Sequence, residues 1–300
     1  MERLRRTMLF VPGNNAGMVK DAHIYRSDAV MFDLEDSVSI NEKDAARFLV
    51  YKALCTQDYE GIETVVRINS LDSGYGKEDI KAMVKAAPAA IRLPKTDTAQ
   101  DILDGEELVA KEEKRNRYPE GTVKLLAAIE SPRGVLNALS IACSSKRLIG
   151  IAIGAEDYVT ALKTKRYEDG VELLFARGMI VNAARAAGIC ALDTVYSDLN
   201  NEEGFQKELR LIKQLGFDGK SIISPRQIDP VNRIFTPEKE EIEEAINVME
   251  AIKEAERNSS GVIALNGKMI DKPIVQRAER VLSLAKASGI ALPFPEKEDK

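Results

Sequence analysis

The chain has 300 residues, 44% hydrophobic and 30% charged, enough for one large domain with a well-buried core or for two modest ones. Its 43 basic and 48 acidic side chains leave a net charge of -5, which argues against nucleic acid or an anionic membrane as the main partner. No apolar run approaches the ~20 residues that a bilayer-spanning helix needs, and "MERLRRTMLFVPG" has neither the apolar stretch nor the cleavage site of a signal peptide.

The three cysteines, Cys55, Cys143 and Cys190, form no close pair. They read as free, buried thiols in a reducing cytoplasm. A single histidine, His23, excludes an all-histidine zinc site. Any bound metal would therefore have oxygen ligands, as magnesium, manganese or calcium does.

Short apolar strands alternate with amphipathic stretches along most of the chain. The strands are predicted at 7–13, 29–36, 63–69, 89–95, 123–130, 148–154, 189–197 and 219–225. Helices are predicted over 42–55, 99–115, 133–144, 169–187 and 201–215, the last two with apolar residues at spacings of three and four and Gly near the end. Strand ends recur at regular intervals: Glu35 to Arg67 is 32 residues, Glu130 to Asp157 is 27 and Asp193 to Ser224 is 31. Units of ~30 residues are βαβ crossovers between parallel strands, and eight of them predict a (β/α)8 TIM barrel. An open doubly wound sheet is the second choice; no strand runs into a G-x-G-x-x-G turn.

The barrel is expected over residues 1–235. Residues 236–300 are read as a C-terminal helical arm or lid contributing to an oligomer interface, with a helix over 237–261 and a turn-rich piece plus second helix over 262–289. The tail "PFPEKEDK" looks frayed.

A barrel of this kind works at its C-terminal mouth. The groups predicted there are Pro12, Gly13 and Asn14 after strand 1, Glu35 and Asp36 after strand 2, Arg67 and Asn69 from strand 3, Arg92 and Lys95 from strand 4, Glu130 from strand 5, Glu156 and Asp157 after strand 6, Asp193 from strand 7 and Ser224 from strand 8. Any one of these has a structural explanation: Asp36 and Ser37 suit a helix cap, Asp193, Lys95 and Asn69 suit surface or mouth salt bridges, and His23 suits packing. Together they say more, because converging carboxylates repel unless a cation or proton intervenes. Glu130 and Asp157 come from adjacent strand ends and suit one magnesium ion, which takes one or two carboxylates and leaves sites for substrate oxygens. Glu35 and Asp36 suit the groups that hold its waters. Arg67 offers a planar cation for a carboxylate or carbonyl oxygen. This set suits stabilisation of an enolate, or chelation of a 2-keto acid between metal and arginine.

"RRTMLFVPGNN", "FDLEDSV", "VRIN", "IRLPK", "AAIESPRG", "IGAEDY" and "GKMIDKPIVQRA" follow in this order from residue 5 to 278. In these motifs the chain resembles the citrate lyase beta subunits, within the wider malyl-CoA lyase and HpcH/HpaI aldolase group. The resemblance implies a trimeric (β/α)8 barrel with Mg2+ (Mn2+ as an alternative) on Glu130 and Asp157, Arg67 on the oxaloacetyl portion, Glu35 and Asp36 outside the metal's direct ligands, and Asp271 of "KMID" as acid/base, often presented by a neighbouring subunit. The implied reaction cleaves a citryl thioester to oxaloacetate and an acetyl thioester. The implied partners are an acyl carrier protein (the gamma subunit) and a transferase (the alpha subunit). Pro12, Gly13, Asn14 and "GYGK" (74–77) offer room for a pantetheine arm; "RLRR" suits either a diphosphate or a solvated N-terminus. A free-standing lyase, synthase or thioesterase for malyl-CoA, citramalyl-CoA or a related acyl-CoA is the alternative, and a non-catalytic thioester-binding subunit is a third reading.

Overall fold

The computed structural model describes residues 3–257, 264–265 and 268–293. Eight parallel strands close into a barrel: β1 (Thr7–Pro12), β2 (Ala29–Asp33), β3 (Glu63–Arg67), β4 (Ala90–Leu93), β5 (Lys124–Ile129), β6 (Leu148–Ile153), β7 (Cys190–Asp193) and β8 (Gly219–Ile222), with β8 paired back onto β1. All eight fall inside the predicted segments. The predicted helices appear at Lys43–Thr56, Ala99–Asn116, Leu174–Ala187 and Glu202–Leu215, while the one expected over 133–144 is two short pieces, Pro132–Leu136 and Ala138–Ala142. Further helices lie at Ala16–Asp21, Gly76–Ala86, Ala155–Ala161 and Ile228–Phe235.

The helix Glu202–Leu215 shows how sequence sets these elements. Asn201 accepts from the Gly204 amide at its start, Phe205, Leu209 and Ile212 face inward, and Gly216 ends it at φ +97°.

The strand period of two sorts residues between the barrel interior and the helical shell. Met8, Ala29, Met31, Val65, Ala90, Leu126, Ala152 and Leu192 fill the interior. Two residues further on, the same inward direction yields Asp33, Arg67, Arg92, Gly154 and Thr194, and on β5 a second step of two yields Glu130. Lateral pairing sets Asp33 beside Arg67 and Arg67 beside Arg92 at one level. An interior of small and medium apolar side chains below and a polar ring above is the consequence.

Asp193 follows inward-facing Leu192, so it points out of the wall. It is fully buried there, bound by Arg177 Nε at 2.9 Å and Lys220 Nζ at 2.8 Å; Glu208 takes Arg177 Nη2 at 2.8 Å and Lys220 Nζ at 2.6 Å. Asp193 is therefore not a mouth residue. Burial raises its pKa, but the charges of Lys220 and Arg177 outweigh it and hold the carboxyl well below its usual range. The "RLRR" reading is corrected likewise. Arg5 pairs with Glu63 at 2.6 Å and Arg6 with Asp28 at 2.8 Å, at the strand starts, opposite the mouth. Cys55 and Cys143 are exposed, contrary to expectation. Cys55 lies off the face of its helix that buries Ala46, Val50 and Ala53.

The chain divides into two compact units. One is Arg5–Asn232, the barrel; the other runs from Arg233 onward and includes Arg3 and Leu4. In the second unit, helices Lys239–Arg257 and Lys272–Ala287 pack around Ala245, Val248, Ile270 and Ala278. The predicted end of the first of these helices, "NSSG", and all but the first residue of "PFPEKEDK" lie outside the described residues. No helix among the described residues is long and apolar enough to cross a membrane.

Candidate active site

The barrel mouth holds a cavity of about 440 Å³ lined by Phe10, Pro12, Asp33, Asp36, Arg67, Arg92, Glu130, Asp157 and Thr194, among others. Glu130 leaves β5 pointing into it. The chain turns away immediately, because Ser131 caps the helix Pro132–Leu136 by accepting from the Gly134 amide at 2.9 Å, and Pro132 occupies its first turn.

Glu130 is 6% exposed, and its Oε2 has no hydrogen-bond partner among the described residues. Burial, then the nearby charge of Glu35, raise its pKa to about 7, with Arg92 opposing and Asp157 adding to the rise. Gly154 makes room for it: a Cβ there would stand 2.4 Å from Glu130 Cγ. Asp157, in the first turn of Ala155–Ala161, lines the same cavity with its side chain 51% exposed. One orphaned, buried carboxylate oxygen and an exposed carboxylate around one cavity form an all-oxygen donor set that fits a hard divalent cation with water and substrate completing its shell. No cluster of three or more metal-ligating side chains exists among the described residues.

The structure revises Arg67. Its Nε and Nη2 donate to the two oxygens of Asp33, both at 2.7 Å, and Nη1 pairs with Glu35 at 2.9 Å and Asp36 at 3.2 Å. Arg67 thus lines the cavity with most of its N–H groups committed. Asp33, which the sequence reading did not single out, also accepts from the amides of Glu35 and Ser37. It holds the turn after β2 and the guanidinium together.

Glu35 is buried, which raises its pKa against the pull of Arg67. It meets Lys95 Nζ at 3.0 Å, and Lys95 also stands 3.7 Å from Asp36 and 4.0 Å from Asp157. Donating to the Glu35 carboxylate raises the Lys95 pKa, so its amine stays protonated and is unsuited to Schiff-base chemistry. Lys95 holds φ +48° to reach this place, a backbone conformation uncommon outside glycine.

The remaining predicted residues separate. Pro12 lines the cavity. Gly13 packs its α-carbon against the Asp33 carbonyl, where a Cβ would meet oxygen at 2.7 Å. Asn14 turns outward to Glu42, 2.8 Å away. Asn69 is buried and donates to Asp79 at 2.7 Å, so it fixes the loop after β3 rather than facing the cavity. Asp271, in the second compact unit, is exposed and caps the helix Lys272–Ala287 through the Ile274 amide at 3.1 Å. His23 packs edge-on to Tyr59. The residue whose weight sequence reasoning missed is Arg92. It is 3% exposed, lies over the Phe10 ring at 5.6 Å, and is the mouth arginine without a salt-bridged carboxylate among the described residues. Burial, then Arg67, lower its pKa to about 10. Its step of two from Ala90 was the available signal.

Residues 6–225 match the HpcH/HpaI aldolase/citrate lyase family. The chain belongs to that family. Among family relatives, the citrate lyase subunit beta of Leuconostoc mesenteroides subsp. cremoris is 58% identical over 289 residues, 96% of each chain. Two solved family structures share the fold. One is CitE from Mycobacterium tuberculosis in complex with magnesium, acetoacetate and coenzyme A (TM-score 0.75, 31% identity, 94% of this chain and 98% of that one). The other is a citrate lyase beta subunit complexed with oxaloacetate and magnesium from M. tuberculosis (TM-score 0.66, 30% identity, 78% and 98%).

Proposed function

We propose that this chain is the carbon–carbon lyase of a citrate lyase and cleaves a citryl thioester into oxaloacetate and an acetyl thioester. The observation that carries the reading is the buried Glu130 oxygen without a hydrogen-bond partner among the described residues, in a mouth cavity that Asp157 also lines; it suits the Mg2+ found with oxaloacetate in a solved relative. The identity to citrate lyase beta subunits across 96% of the chain favours the citryl over the malyl or citramalyl substrate. Mn2+ suits the same oxygen donors.

Glu130 and Asp157 would hold the ion. When bound, Mg2+ supplies Lewis-acid polarisation of the keto oxygen and neutralises charge. The residues do the rest. Asp33 orients Arg67 at the cavity wall, and Glu35, Asp36 and Lys95 form the charged rim that sets the potential there. In the reaction a base or water takes the proton of the tertiary hydroxyl, that oxygen becomes the keto oxygen of oxaloacetate, and the adjacent carbon–carbon bond breaks. The electron pair passes to the thioester enolate, which takes a proton at carbon to become the acetyl thioester. Arg67 faces the cavity to stabilise developing negative charge. Asp271 is assigned the carbon protonation, on the strength of the "KMID" resemblance.

The thioester is assigned to an acyl carrier protein, with a transferase alpha subunit as second partner, a homotrimeric assembly, a C-terminal arm that serves as interface and lid, and a cytoplasmic location. The family resemblance supports these assignments. Purified protein assayed with citryl-CoA, malyl-CoA and citramalyl-CoA, with and without Mg2+, tests the substrate. Cleavage confined to malyl- or citramalyl-CoA rejects it, and unchanged turnover in Glu130→Ala and Asp157→Ala rejects the cation site. Asp271→Asn keeps a good helix cap while deleting the acid. It should melt like wild type and lose about 10²-fold or more in turnover; full activity would discard Asp271. Partial recovery on mixing Arg67→Ala with Asp271→Ala in reassembled oligomers would place the two in different subunits, and verified mixed oligomers without activity would not.

A further inference from the structure

The mouth cations divide unequally. Arg67 is committed to Asp33, Glu35 and Asp36, and Lys95 to Glu35. Among the described residues the close partners of Arg92 are the face of Phe10 at 5.6 Å and the sulfur of Met31 at 3.8 Å; its Nε donates to nothing there, and the carboxylates of Glu130, Glu35 and Asp33 act on it only through their charge, without a salt bridge. A guanidinium 97% removed from solvent without a salt-bridged carboxylate is expensive to keep. It lines the cavity with Glu130 and sits level with Arg67 across the β3–β4 pairing. A ligand carboxylate would satisfy it, and a planar fork recognises that group by two parallel hydrogen bonds.

The proposed substrate has a carboxylate to spare. Cleavage of a citryl thioester yields a keto acid whose keto oxygen and neighbouring carboxylate suit the cation site. The second, distal carboxylate needs another partner. A malyl thioester lacks that CH2–COO− arm, and a citramalyl thioester carries a methyl in its place. We infer that Arg92 is the specificity residue of this site: its guanidinium binds the distal carboxylate of the citryl group and of oxaloacetate. This inference rests on the citryl-lyase reading and adds the group that distinguishes the citryl substrate from its shorter relatives.

Calorimetric titration in Mg2+ with oxaloacetate and with pyruvate, its counterpart lacking the distal carboxylate, tests it in wild type, Arg92→Met and Arg92→Lys. Wild type should prefer oxaloacetate by roughly 10- to 100-fold, the range of a charge-assisted hydrogen-bonded pair. Arg92→Met should bring the two keto acids within about 3-fold, by weakening oxaloacetate alone, and Arg92→Lys should fall between. Mg2+ affinity without keto acid should stay within about 3-fold of wild type in both variants. In turnover, Arg92→Met should lose kcat/KM for citryl-CoA by a similar factor and lose markedly less for any citramalyl-CoA cleavage. If wild type binds neither keto acid, the citryl-lyase reading itself falls. If wild type prefers oxaloacetate and Arg92→Met keeps that preference, only the Arg92 assignment falls. Parallel weakening of both keto acids, or loss of Mg2+ binding, would show that Arg92 merely balances Glu130, and would overturn the inference too.

Discussion

Gly154→Ala adds one methyl group and no charge, yet it should disable the cation site. The new Cβ would lie 2.4 Å from Glu130 Cγ and 2.9 Å from both Cδ and Oε1. Those distances are far inside contact, and Cγ is not the free end of the side chain. Glu130 is buried, so it has little space to rotate into, and β6 is held in register on both sides. Overpacking of this kind costs about 1–3 kcal/mol, a fall of several degrees in Tm for a barrel of this size. The functional loss should be larger. Displacing one of two anionic ligands should weaken Mg2+ by at least about 10-fold, and a shift of about 1 Å at a reacting centre costs on the order of 10² in rate. Gly178→Ala is the matched control. Apart from its chain neighbours and the backbone of its own helix, no atom of the described residues lies within 4 Å of a Cβ built there, and it sits within the helix Leu174–Ala187. That change should stabilise by about 0.4–1 kcal/mol. The assay is a thermal melt with and without Mg2+, together with citryl-CoA turnover. A Gly154→Ala protein that keeps the wild-type Mg2+ response and turnover would refute the placement of Glu130 as a ligand.

Asp33→Asn should loosen Arg67, because it removes the charge and replaces one of the two oxygens that accept from Arg67 at 2.7 Å with an NH2 donor. Turnover should fall on the order of 10²-fold while Mg2+ affinity stays within a few-fold; equal losses in both would point to general collapse of the mouth. Lys220→Met strands Asp193 and Glu208 with one cation fewer inside the wall, and should cost about 3–5 kcal/mol by urea denaturation; a loss under 1 kcal/mol would contradict the buried cluster. The same cluster sets an acid limit. Asp193 is held below its unfolded pKa, so the folded state binds fewer protons than the unfolded one in that interval. Its stabilisation is complete above the usual aspartate pKa of about 4 and is lost as pH falls through the folded value. Unfolding free energy measured between pH 5 and pH 2 should therefore drop more steeply in wild type than in Lys220→Met, and parallel slopes would count against it.

Much of the fold follows from local pattern. Strand-helix alternation at intervals of about 30 residues is written into hydrophobic periodicity, and periodicity depends on neighbours only a few positions away. Eight strands, a closed parallel barrel and the presence of Glu35, Arg67, Glu130 and Asp157 at strand ends were legible for that reason. The helices Gly76–Ala86 and Ala155–Ala161 were not, since each begins inside a loop whose glycines and acids read as mouth groups.

What a side chain does at the mouth depends on partners brought near by closure of the sheet. Asp33 and Arg67 are 34 positions apart and become lateral neighbours only through strand register. That pairing commits the arginine that the motif advertised and leaves Arg92 without a salt-bridged carboxylate among the described residues. The parity of β7 decides in turn that Asp193 faces the helices rather than the cavity. Composition and spacing therefore determined which charged groups reach the rim. Only the three-dimensional arrangement decided which of them neutralise one another and which remain for a ligand, because electrostatic pairing acts over a few ångströms of space, without regard to distance along the chain.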